Sequence, residues 1–275
     1  MFDKLSDLPL LVAGPTIVGF LCLYSVIGLV LVRRFVLPRL RIQVEDGEFS
    51  GSMVQAVMVF YGLAVALIAV SVWQSSDNAS AIVSQEASAL AVLYRNVDCY
   101  PEPLRTQIQD KLREYNDQVI HKDWPLHQHG KLPTATHAQA IGFQKLLLAF
   151  KPVEENDKIM QAATIRAYDE LIKARRLRLD AVGTRLPSIL WFVIVAGALI
   201  SLGSAFFFKL EDARVHAIQV VLLAAFMGLV IFMIFALDRP FHGDLGVKPD
   251  SYQLIYDQLM KPETDTNAAP PKSNP

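Results

Sequence analysis

Four apolar runs without a single Asp, Glu, Lys, Arg or His constrain this chain more than any other feature. They are Pro9–Val32, Ser52–Trp73, Leu186–Phe208 and Ala217–Leu237. A helix rises about 1.5 Å per residue, so about 20 apolar residues cross roughly 30 Å of hydrocarbon. Each run is long enough. Inside a bilayer the backbone must satisfy its own hydrogen bonds, and a helix does so within one segment. The expected fold is therefore all-α: a polytopic membrane protein whose four transmembrane helices sit two and two around a charged middle. Composition agrees, with 52% hydrophobic and 19% charged residues, against about 25% charged in ordinary soluble domains. The first run is too long for the roughly 7–15-residue apolar core of a signal peptide. It leads into Arg33-Arg34 and not a small-residue cleavage site, so it reads as a retained span.

The expected layout has four parts. Residues 9–73 form a first transmembrane hairpin and 77–185 a helical extramembrane domain between spans 2 and 3. Residues 186–237 form a second hairpin and 238–275 a tail. In the middle, Ile82, Glu86, Leu90, Leu93 and Val97 recur at helical spacing. Pro101 and Pro103 then break the chain. Leu104, Ile108, Leu112, Tyr115 and Val119 make a second stripe. His121 to Thr136, with Pro125, Gly130 and Pro133, reads as a loop carrying surface histidines. Ala140, Ile141, Leu147 and Leu148 suggest a third helix ending at Pro152, and a long fourth runs from about Glu154 to Ala181, with Asp169 and Lys173 as an i,i+4 pair. Tyr252, Ile255 and Leu259 give the tail one helix, capped by Asp250 or Ser251. From about residue 262 the composition predicts disorder.

Charge and motif content narrow the function. The net charge of −1 offers no bulk attraction for nucleic acid, and none is expected as a partner. The lipid bilayer is. No phosphate-binding loop, nucleophile elbow, dinucleotide fingerprint or metalloprotease helix occurs. The spans lack intramembrane charges of the kind that mark proton-coupled transport. No catalytic set, cofactor or metal site is expected; His127 and His129, two apart, suit no ligand pattern. Cys22 and Cys99 imply no disulfide framework. Glu86 stands out because it lies on the apolar face between Ile82 and Leu90. A carboxylate there needs a partner, and Arg176 or Arg178 on the long helix would supply one. The run Asp238 to Asp244, holding Pro240, Phe241 and Gly243, reads locally as a helix stop and membrane-exit turn.

The segment Leu237-Asp238-Arg239-Pro240-Phe241-His242-Gly243-Asp244, placed after the last of two-plus-two spans, resembles the bestrophin-like membrane family, four-span relatives of bestrophin anion channels. Tyr94-Arg95, Pro101, Pro103, Tyr115, Trp124-Pro125, Arg176 with Arg178, Pro187 with Trp191, and Gly197 fit the same pattern. The resemblance covers about residues 15 to 260. It implies a homo-oligomeric ion channel, a pentamer, that passes small inorganic ions, most simply anions. It also implies that the second span lines the pore, with Gln55, Phe60, Ala64 and Ile68 as candidates and a ring of Phe60 as a dewetting constriction. Ordinary helix packing through Ala56 and Ala64 is the other reading of that face. In bestrophins the Pro-Phe-Gly segment opens an acidic calcium-binding run. Here Leu245, Gly246, Val247 and Lys248 stand in its place, and calcium needs about 6–8 oxygen ligands, so no calcium clasp is expected.

Four spans put both termini and the helical domain on one side of an inner or plasma membrane. Basic residues in the first hairpin loop argue for an outside domain and the Arg175 to Arg185 cluster for an inside one; the resemblance favours the cytoplasm. A membrane-anchored interaction or sensory protein, whose helical domain binds a partner, is the alternative function.

Overall fold

The computed structural model describes residues 10–36, 38–39, 46–133, 144–207, 212–243 and 246–261. Among them there are helices and connections and no strands. The chain divides into two compact units. One comprises Met1–Asn78 and Thr184–Gly246, the other Ala79–Gly183 and Val247–Pro275.

The first unit holds four helices that are long and apolar enough to cross a membrane. Helix α1, Leu10–Leu31, runs on through a π-helical turn, Val32–Val36. Helix α2, Asp46–Val97, enters this unit with its N-terminal part. Helices α6, Ser188–Ala205, and α7, Ala213–Leu237, complete it. Their shared core includes Leu21, Leu29, Val65, Val72, Ile194, Leu202, Ala224 and Ile234. Lipid is as apolar as these side chains, so close backbone approach is what holds spans together. A Cβ at Gly228 would lie 2.9 Å from the Val18 Cα, which brings α1 and α7 into direct backbone contact. The Tyr61 ring occupies the space beside Gly197, and its hydroxyl donates to the Ile194 carbonyl at 2.9 Å. The Phe206 ring fills the place a side chain at Gly28 would take.

Two boundaries differ from the sequence expectation. Helix α7 begins four residues before Ala217 and so includes His216, which is 2% exposed. Asp212 caps it, accepting from the Arg214 N–H at 2.8 Å. His216 Nε2 lies 3.2 Å from the Ala205 carbonyl and Nδ1 3.1 Å from Arg33. The carbonyl needs a donor, so Nε2 carries the proton and Nδ1 accepts from Arg33. The second difference is that span 2 and the first extramembrane stripe are one helix of 52 residues. The polar segment Gln74-Ser75-Ser76-Asp77-Asn78 contains neither Pro nor Gly, so nothing in it stops helix propagation.

The second unit is built from the C-terminal part of α2, then α3 (Leu104–Gln118), a π-helical turn (Val119–Asp123) and α4 (Trp124–Gln128). A short helix at 144–149 and the long α5, Glu155–Val182, follow. Asp157 accepts from the Glu154 N–H at 3.2 Å and fixes the start of α5. The expected loop from His121 is therefore helical to Gln128, with Pro125 in the first turn, where its missing N–H costs nothing. The expected third helix is described only at 144–149, and residues 134–143 lie outside the described residues. On α5, Lys173 approaches Glu170 at 3.9 Å in place of Asp169.

The tail helix α8, Asp250–Ile255, continues through a π-helical turn, Tyr256–Met260, with Pro249 in the cap position. It belongs to the second unit, where Tyr252 and Met260 are fully buried. Arg113 Nε donates to the Met260 carbonyl at 2.8 Å, and Trp124 Nε1 donates to the Val247 carbonyl at 3.1 Å. The expected disorder from residue 262 lies outside the described residues.

Candidate functional site

Three groups of residues carry the functional expectations, and each is best followed from the backbone outward. On α2, the faces are set by what packs inward. Val65 and Val72 are buried, and Met58, Tyr61, Ile68 and Ala69 pack on the same core. The opposite face is apolar and exposed: Phe60 at 73%, Leu63 at 58% and Leu67 at 65%, with Ala56 exposed beside them. The expected stripe Ala56, Phe60, Ala64, Ile68 is therefore divided. Each i+4 step overshoots a helical turn by about 40°, so the stripe winds from the exposed face at Phe60, past half-buried Ala64, to the core at Ile68. Gln55 is exposed but stands about 140° round the helix from Phe60. Span 2 is the least buried of the four.

The second group is the exit motif. Helix α7 ends at Leu237, and Asp238 reaches back to the start of α6. Its carboxylate accepts from the Leu186 N–H at 2.6 Å and from the Trp191 indole N–H at 3.3 Å. One side chain thus satisfies an N–H just ahead of the first turn of α6 and anchors its Trp. Pro240 and Phe241 are buried. Gly243 has φ 71°, a conformation that only glycine adopts freely. A Cβ on Gly246 would sit 2.7 Å from the Phe241 carbonyl carbon, so the chain folds tightly back on itself. Asp244 lies outside the described residues.

The third group is a buried polar cluster in the second unit. Glu86 and Arg178 are both fully buried. Arg178 Nε donates to Glu86 Oε2 at 2.7 Å, and Nη2 donates to Oε1 at 3.3 Å. The Tyr115 hydroxyl donates to Oε1 at 2.5 Å. Arg178 Nη1 lies 3.1 Å and 3.3 Å from the two ring nitrogens of His127, and Nη2 is 3.9 Å from Asp123. Burial alone would lower the Arg178 guanidinium, but the adjoining Glu86 charge overrides it and holds the group well above its ordinary value. Burial, with Arg178 and Arg175 nearby, drives His127 down to about 3, so it is neutral. Burial and the Glu86 charge push the Tyr115 and Tyr252 phenols well above their usual range. The cluster is an ion pair with buried polar groups around it, suited to holding five helices, α2, α3, α4, α5 and the tail helix, in register.

Of the two arginines named from sequence, Arg178 takes the contact and Arg176 is exposed. Sequence reading missed Tyr252 and His127 as members. It placed His127 among surface histidines, whereas the structure buries it to 1% exposure. The i,i+3 spacing of Trp124 and His127, with Pro125 between them in the first turn of a helix, places both on one face.

Comparison with known proteins follows the same outline. Curated proteins give no match. Among solved structures, the fold is similar to two variants of a bacterial bestrophin homologue from Klebsiella pneumoniae. One has TM-score 0.56 and 14% identity over 89% of this chain and 98% of that one; the other has TM-score 0.52 and 13% identity over 90% and 98%. A membrane protein variant of unstated source gives TM-score 0.56 and 14% identity over 89% and 97%. At that identity the likeness is one of fold. Residues 19–252 match the Bestrophin-like domain, which takes in all four spans' cores, the Glu86–Arg178 pair and the exit motif. The chain is a member of the Bestrophin-like family.

Proposed function

We propose that this protein is a homo-oligomeric, anion-conducting channel, with its pore lined by the exposed face of α2. The observation that carries the reading is that face itself. Span 2 turns Val65 and Val72 inward and leaves Phe60, Leu63 and Leu67 uncovered. Four spans from one chain are too few to enclose a pore comfortably, so conduction calls for several copies around an axis. A ring of Phe60 side chains with Leu63 and Leu67 beneath it would make an apolar neck that gates by dewetting. Gln55, about 140° round the helix from Phe60, stands off that neck. Family membership supports the reading, and a pentamer is the expected assembly. The helical domain and tail are assigned to the cytoplasmic side of an inner or plasma membrane, on the same grounds.

The test is anion efflux from liposomes reconstituted with the purified protein, with subunit count read by native mass spectrometry. The expected result is a pentamer whose chloride flux rises about tenfold or more in Phe60→Ala, as a dewetted constriction opens. A monomer with no flux in wild type and Phe60→Ala alike would replace the channel with the membrane-anchored interaction protein.

A further inference from the structure

Arg175 carries a buried charge that the ion pair at Glu86 leaves unanswered. It lies on the inward face of α5 with Tyr168, Leu171 and Arg178, and is 8% exposed. A guanidinium stays charged in any protein, and arginine is almost never enclosed without a partner. Among the described residues, both enclosed carboxylates of this unit belong to Arg178. Glu86 accepts from its Nε and Nη2, and Asp123 lies 3.9 Å from Nη2. Arg175 has no ion pair with a described residue, and none of its nitrogens has a hydrogen-bond acceptor. The enclosed charges of Glu86, Asp123, Arg175 and Arg178 cancel in sum and not in place, because both carboxylates stand at one arginine.

Three observations specify what would answer that charge. The first is access. Nε is fully enclosed, whereas Nη1 and Nη2, equally without acceptors, are not, so the guanidinium reaches the surface by its Nη edge. The second is the field. The groups that sense the Arg175 charge are the phenols of Tyr115 on α3 and Tyr168 on α5 and the imidazole of His127 on α4. Burial raises both phenols and lowers the imidazole to about 3, so all three are neutral near pH 7 and none offsets the arginine. The third is shape. A planar fork of N–H groups matches two oxygens of one carboxylate or phosphate, and charge-assisted bonds of this kind are the strong ones.

We propose that Arg175 binds a small oxyanion, a carboxylate or a phosphate, through its Nη edge. The opening is narrow, since the residue keeps 8% of its surface, so the ligand is compact or enters by one end. An anion held there neutralises an enclosed charge and stabilises the second unit by linkage, because the unfolded chain holds no such site. The site belongs to the helical domain, and its binding is measured without any conductance.

The experiment is calorimetric titration and thermal unfolding of the full-length protein in detergent, with sodium phosphate and sodium acetate as probes. Sodium chloride at matched ionic strength, an anion without the paired oxygens, is the control. The expected result is saturable binding of one oxyanion per chain and a higher unfolding temperature that chloride does not reproduce. Binding of both probes assigns the site to oxyanions at large, and binding of phosphate alone assigns it to phosphates. Arg175→Met should abolish the response while melting at or above wild type without probe, since an apolar side chain replaces an unpaired buried charge. Arg175→Lys keeps the charge without the fork and should weaken binding about tenfold. Arg176→Met removes the same charge from an exposed neighbour and should bind as wild type does. No saturable binding of either probe by wild type at about 10 mM, an equal response to chloride, or a loss in Arg176→Met as large as in Arg175→Met would each overturn the assignment.

Discussion

The two units bury polarity in opposite ways. In the unit that carries the spans, the fully enclosed polar side chains among the described residues are neutral or weakly basic: Ser25, Ser201 and His216. Its helices are held by glycine-mediated approach, at Gly228 against Val18 and Gly197 against Tyr61. In the other unit, Glu86, Arg178, Asp123 and His127 are enclosed together with Asn116, Gln118 and Thr164. The contrast follows from the solvent. Between helices in lipid there is no hydrophobic drive to exploit, so shape does the work, and an enclosed charge is costly. The extramembrane unit has a hydrophobic drive, and its ion pair fixes which segments meet and in what register. A buried pair of this kind contributes little net stability, but stranding one member is severe.

Breaking the ion pair is the largest expected effect. Glu86→Ala leaves Arg178 buried without its carboxylate, and should destabilise the second unit by about 3–5 kcal/mol. A helical signal that melts in two steps, with only the second-unit step lowered, is the readout; the double change Glu86→Leu with Arg178→Met should recover much of the loss. The acid limb comes next. Unfolded His127 takes a proton near 6.5, but the folded group stays neutral down to about 3. Its contribution is thus full above pH 6.5 and is lost as pH falls through that window, at up to about 1.4 kcal/mol per pH unit. His127→Gln should flatten that limb in melts between pH 6.5 and 4.

The counterpart test in the spans is Gly228→Ala. The new Cβ meets the Val18 backbone at 2.9 Å, which cannot swing aside, and the cost should be about 1–3 kcal/mol. Gly62→Ala, with nothing within 4 Å, should leave the melting temperature unchanged or slightly raised. Asp238→Asn removes one of two acceptors that hold Leu186 and Trp191, an expected loss of about 1–2 kcal/mol. Arg176→Ala, on an exposed face, should stay within about 0.5 kcal/mol of wild type. If it cost as much as Glu86→Ala, the contrast between the two arginines would collapse.

The spans were readable because each is a long run without charge, and Glu86 because a lone carboxylate interrupts an apolar stripe. Its partner was also within reach of the sequence. Leu171, Ala174, Arg178 and Val182 recur at helical spacing and are all buried, whereas Arg176 stands about 200° round from Arg178. The stripe Ala56, Phe60, Ala64, Ile68 divides because i,i+4 spacing drifts by about 40° at each of its three steps, which carries Ile68 to the core. The continuity of α2 through Gln74–Asn78 was not legible, because polar residues permit a helix without announcing one. Nor was the docking of the tail. Tyr252 sits far along the chain from the Glu86 cluster it joins, and no local pattern records a contact between distant segments.

The discontinuity of the second unit sets an order for its biosynthesis. Its first part ends at Gly183, yet Tyr252 and Met260 complete its interior. The ribosome must make the whole second hairpin before those residues exist. At about 5–20 residues per second, the unfinished interior waits roughly 4–15 s, with Glu86 and Arg178 already present and the seat of Tyr252 empty. A nascent chain in that interval presents an open apolar and charged groove, the state in which a chaperone or a quality-control protease would meet it.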